Sequence, residues 1–183
     1  MDRESLRSAQ QPLKERCRSE PESALVTLHA EGTLGEGVTC SVQTGRTLVE
    51  AGLHPASGGG GMSACSGDML LQALVACAGV TMNSVATSME IPIERGTVHA
   101  EGDLDFRGTM AVAKDVPVGF ANIRMRFDIE SSAPPDQLSR LVELTERYCV
   151  VYQTLLNSPV VDVELSAVAG GVGWTGDQDG GPV

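Results

Sequence analysis

Ser66-Gly-Asp-Met-Leu-Leu-Gln-Ala-Leu-Val-Ala-Cys77-Ala-Gly-Val-Thr-Met82 decides how the rest of the chain is read. Ser66 suits a helix N-cap, and Asp68 complements the positive end of a helix dipole. The residues that follow are apolar almost all round, the pattern of a helix buried at the centre of a fold. It is expected to run to about Met89, with Pro92 closing it. The flexible segment Pro55-Ala-Ser-Gly-Gly-Gly-Gly61 leads into it. Cys77 ends the most apolar part, and its neighbours Ala76, Ala78 and Gly79 leave room beside the sulfur.

Working outward, strands are expected on both sides. Upstream, Ala24–Ala30, Gly37–Gln43 and Thr47–Ala51 are short β-type runs divided by glycine turns. Downstream, Thr97–Asp105 alternates weakly and Ala121–Glu130 alternates cleanly. Ile123, Met125, Phe127 and Ile129 share one face of it, and Arg124, Arg126, Asp128 and Glu130 the other. Leu138, Leu141, Val142, Leu144, Thr145 and Tyr148 recur at helical spacing and lead to Cys149. A second helical piece, Val151–Leu156, and a last strand, Val160–Val168, complete the order β-β-β-α-β-β-α-α-β. That order is α+β rather than doubly wound. The expected organisation is a flexible N-terminal arm over 1–22 with room for a short helix, one domain over 23–169, and a disordered Gly-rich tail over 170–183.

The chain has 183 residues and a net charge of -11, which argues against a nucleic-acid partner and against an anionic membrane surface. The apolar run Met69–Met82 reads as too short to span a bilayer. Residues 1–22 show no signal-peptide core, so the expected location is the cytoplasm. Cys17, Cys40, Cys65, Cys77 and Cys149 are odd in number and scattered, unlike a secreted disulfide scaffold.

Cys77 and Cys149 carry the chemical reading. A tuned thiolate on one helix and a second thiol on another make a redox pair. Each also has a plainer reading, because free cysteine often serves as a small buried hydrophobe. A buried thiolate needs a compensating partner, and Arg46 in the turn Gln43-Thr-Gly-Arg46 is the candidate cation, with Asp68 to orient it. Arg147 and Tyr148 adjoin Cys149, and Cys65 is a rival nucleophile near the helix start. A zinc site from His54, Cys65 and Cys77 has no supporting spacing, and the Gly58–Gly61 run lacks the Lys-Ser/Thr of a phosphate loop.

With these residues laid out, the chain resembles the OsmC/Ohr superfamily, the osmotically inducible and organic hydroperoxide resistance proteins. The resemblance spans about Leu25 to Leu165. It rests on the Gly-rich loop before Ser66–Cys77, the β segment between the helices, and Glu146-Arg-Tyr-Cys149-Val-Val. It implies an OsmC-like fold, antiparallel sheets packed around long central helices in an intertwined homodimer, with active sites at the subunit interface. It also implies reduction of organic hydroperoxides without metal or other cofactor. Cys77 would be oxidised to a sulfenic acid, Cys149 would resolve it as a disulfide, and an external dithiol would restore both. Asp68 stands where the family's peroxidases have glutamate. After Ala30 the chain reads Glu31-Gly-Thr-Leu-Gly-Glu-Gly37 in place of the family's arginine turn, which leaves Arg46 as nearest replacement. Val150 follows the second cysteine where proline is usual. The rival from another class is a non-catalytic ligand-binding or redox-sensing protein on the same fold.

Overall fold

The computed structural model describes residues 2–28, 30–34, 39–44 and 47–166. Its centre is α2 (Ser66–Met89), 24 residues long. Leu74, Ala78, Met82 and Ala86 recur every four residues on α2 and are its buried positions, so they form one stripe. Against that stripe pack β5 (Arg95–Leu104) and β6 (Phe120–Glu130), an antiparallel pair in register from Arg95 opposite Glu130 to Leu104 opposite Phe120. The alternation read in β6 holds, with Ile123, Met125, Phe127 and Ile129 half-buried and their neighbours exposed. Its outer face is knitted by ion pairs, Arg124 with Asp103 and Glu101, and Arg126 and His99 with Asp128.

The upstream strands form a second sheet in the order β1 (Gly32–Leu34), β2 (Thr39–Thr44), β3 (Thr47–Gly52) and β4 (Ala64–Cys65). β1, β2 and β3 pair antiparallel, whereas β4 joins β3 in parallel. The expectation of purely antiparallel sheets is corrected there by a two-residue bridge, because the chain crosses over through the 3-10 turn Pro55–Ser57 before it enters α2. Downstream, α3 (Phe106–Thr109) is a single turn in the β5–β6 connection. α4 (Pro135–Tyr148) and α5 (Val150–Leu156) meet at Cys149. Leu141 of α4 closes a core with Met82, Ala86 and Ile91, and Cys149 closes a second with Leu74 and Ala78.

Several expectations change. Residues 25–28 form no strand, and 160–166 are extended without a partner strand; the other parts of these two expected strands include His29 and Val168, outside the described residues. Leu25, Leu28, Val160 and Val163 are accordingly exposed, since none of the described residues covers them. The N-cap of α2 is Cys65 rather than Ser66, and its side chain makes no capping bond. The helix ends at Glu90 in the left-handed region, one residue before Ile91, rather than at Pro92 itself. Residues 3–19 of the N-terminal arm form α1 (Arg3–Ser19), which lies against α2. The 170–183 tail lies outside the described residues.

α2 is not buried all round. Leu70 and Val80 are 39% and 72% exposed, because a single chain covers only the Leu74–Ala86 stripe. The helix is also long and apolar enough to cross a membrane, which corrects the shorter measure taken from Met69–Met82. Its packing against β5, α4 and α5 makes it the core helix of this fold.

Candidate functional site

Cys77 is the twelfth residue of α2, near the helix midpoint, so the positive end of its own helix is too distant to tune it. The neighbouring chain does that instead. α4 stops at Tyr148, and Cys149 adopts an extended backbone (φ -74, ψ 108) that ends α4 and caps α5. The amide of Cys149 donates to the Thr145 carbonyl at 2.9 Å, which closes α4. The first amides of α5 have no partner within that helix. Those of Val151 and Val150 lie close enough to the Cys77 sulfur to lower its pKa.

The two thiols are therefore neighbours in different environments. Burial pushes the Cys77 thiol up, but the Val151 and Val150 amides, the Cys149 thiol and the Thr81 hydroxyl outweigh it. The net displacement is downward from the ordinary thiol value. Cys149 is fully buried. Burial raises it first, the Tyr152 amide offsets part of this, and the negative charge on Cys77 raises it further. The acidity of one sulfur is displaced toward the thiolate and that of its partner away from it, the direction that a nucleophile and a resolving thiol require.

Asp68 lies exposed in the first turn of α2, about 13 Å along the helix axis from Cys77 by the usual rise per residue. The structure does not bring these two residues of one chain together. Asp68 instead lines a separate cleft of about 550 Å³ with Leu53, His54, Cys65, Phe106 and Phe120, where His54 stacks on Phe106 at 4.9 Å. Arg46 lies outside the described residues. Among the described residues no group of three or more His, Cys, Asp or Glu side chains is arranged to hold a metal, and His54 and Cys65 line the Asp68 cleft rather than the thiol pair.

The family model for OsmC-like proteins matches residues 58–164, more than half of the chain. The chain belongs to the OsmC-like protein family. No curated protein matches it. Solved structures share the fold of this OsmC-like protein at low sequence identity. An OsmC-like protein from Mycoplasma pneumoniae superposes with a TM-score of 0.62 at 16% identity, covering 73% of this chain and 89% of that one. An organic hydroperoxide resistance protein from Elizabethkingia anophelis gives 0.58 at 18% identity, covering 74% and 91%. An OsmC-like protein of unknown function from Vibrio cholerae gives 0.58 at 14%, covering 71% and 94%.

Sequence reasoning named both cysteines of this OsmC-like protein but missed what tunes the first. It looked to Arg46, which lies outside the described residues, and did not foresee the amides that α5 supplies. The available signal was Cys149-Val-Val, a cap position followed directly by a helical run. One test isolates this effect. Proline is well tolerated at the first position of a helix, and the extended Cys149 backbone suits a residue before proline. Val150→Pro removes one of the two amide donors without breaking α5. The expected result is a Cys77 pKa displaced upward, read from the pH dependence of iodoacetamide labelling, with little change in thermal midpoint.

Proposed function

We propose that this protein is a cytoplasmic, homodimeric thiol peroxidase that reduces organic hydroperoxides through Cys77 and Cys149. The observation that carries the reading is the pairing of these two thiols with opposite displacements of their acidity. Family membership supports it, as does the fold shared with proteins described as organic hydroperoxide resistance proteins. The uncovered apolar face of α2 and the unpaired segments 25–28 and 160–166 support a second copy as partner.

The chemistry runs in three balanced steps. The Cys77 thiolate attacks the distal oxygen of the hydroperoxide and the O–O bond breaks. The alkoxide leaves, takes a proton from solvent, and Cys77 becomes a sulfenic acid. The Cys149 sulfur then attacks the Cys77 sulfur, and the sulfenic oxygen departs as water with the Cys149 proton. An external dithiol reduces the disulfide by two electrons and is itself oxidised to a disulfide. Asp68 and Arg46 remain candidates for polarising the site, with Asp68 acting across a dimer interface rather than on the Cys77 of its own helix.

Mass spectrometry after one equivalent of cumene hydroperoxide, without reductant, tests the reading. The expected product is a Cys77–Cys149 disulfide formed within the dead time of manual mixing. Unmodified thiols would reject the peroxidase reading. They would favour the second reading, a ligand-binding protein that uses the cleft of about 550 Å³ beside Asp68.

A further inference from the structure

We propose that α1 is a strap across the groove beside the thiol pair, held by the Arg3–Glu90 ion pair, and that its release controls how fast reagents reach Cys77. The inference rests on Cys77 as the reactive thiol of the site, and not on which oxidant it meets. α1 lies outside residues 58–164, the span that the family model matches.

Three observations carry it. First, α1 is held lightly. None of its residues is buried, only Leu6 and Gln10 are half-buried, and the Arg3–Glu90 ion pair at 2.5 Å ties it to the end of α2. Second, α1 walls a groove that borders the residues next to the thiols. Gln10 and Lys14 wall a space of about 570 Å³ whose floor includes Val80, Thr81, Leu144 and Tyr148. Thr81 lies one turn beyond Cys77 on the same side of α2, and Tyr148 directly precedes Cys149. Third, Glu90 occupies an unfavourable place for its residue type. It caps α2 with φ 57, a left-handed position that suits glycine. Local backbone preference does not account for a glutamate there, whereas its carboxylate is the anchor that α1 uses.

The experiment keeps the full chain. Arg3→Glu, Glu90→Arg and the double reversal Arg3→Glu/Glu90→Arg are labelled with iodoacetamide under reducing conditions, and Cys77 and Cys65 are followed separately by peptide mass spectrometry. Each single reversal is expected to speed Cys77 labelling about two- to fivefold, the population change that loss of one exposed ion pair produces. The double reversal is expected to return the rate to that of the wild type. Cys65, near the far end of α2, is expected to label at one rate throughout, which separates strap release from general loosening. Equal Cys77 rates in all four proteins would overturn the proposal, as would a double variant as fast as the singles. Labelling needs no hydroperoxide, so failure here is distinct from failure of the peroxidase reading.

Discussion

Cys149→Ser is expected to consume one equivalent of cumene hydroperoxide and then stall, whereas Cys77→Ser is expected to consume none. The asymmetry follows from the two thiol environments. The Val151 and Val150 amides and the Thr81 hydroxyl lower the Cys77 pKa, and none of them is altered when Cys149 changes. A serine hydroxyl at position 149 can still donate to the sulfur, so the first attack survives. The sulfenic acid then has no neighbour to condense with and accumulates, trappable by dimedone or driven on to sulfinic acid by excess peroxide. Turnover with an external dithiol is expected to fall by on the order of a hundredfold or more, because an intramolecular step becomes a bimolecular one. In Cys77→Ser the nucleophile is an alcohol that stays protonated at neutral pH, and the first step is expected to slow by on the order of a thousandfold or more. The buried thiol of Cys149, raised in pKa, does not replace it. Intact-mass spectrometry with dimedone distinguishes the two variants. Equal adduct formation in both would mean that Cys77 is not the attacking residue.

Leu141→Ala is expected to lower stability by about 3 kcal/mol, the usual size for deleting a fully enclosed leucine side chain. Leu141 is 0% exposed and packs with Met82, Ala86 and Ile91, where α4 meets the second half of α2. Removing its branch leaves a void between two helices, and the β5–β6 pair on the far side prevents them from closing it. A domain of this kind is stable by only about 5–15 kcal/mol, so the urea midpoint should move clearly at an unchanged slope. An unshifted midpoint would mean that α4 is not held in this core.

Much of the fold was legible because α2 and β6 each have a single period. The run from Ser66 to Met89 admits no turn, and Ile123, Met125, Phe127 and Ile129 alternate without a break. Such patterns report local geometry directly. The stretches that misled are those whose partners lie elsewhere. Leu25–Leu28 and Val160–Leu165 have strand-like composition, but a strand exists only where another edge accepts its hydrogen bonds, and among the described residues no such edge reaches them. α1 was harder still. Its residues are mostly charged or polar, so the sequence allowed a short helix there but gave no sign that it would lie on α2.

The sequence by itself determined the α+β order, the central apolar helix, and the two cysteines that the fold brings together. Periodicity and residue type specify those, and each acts within a few residues of chain. Only the tertiary structure decided which thiol is lowered in pKa and which is raised. That depends on the bend at Cys149, which aims the free amides of α5 at Cys77 and buries Cys149 beside it. An acidity set by burial and by donors more than 70 positions away has no trace in local sequence.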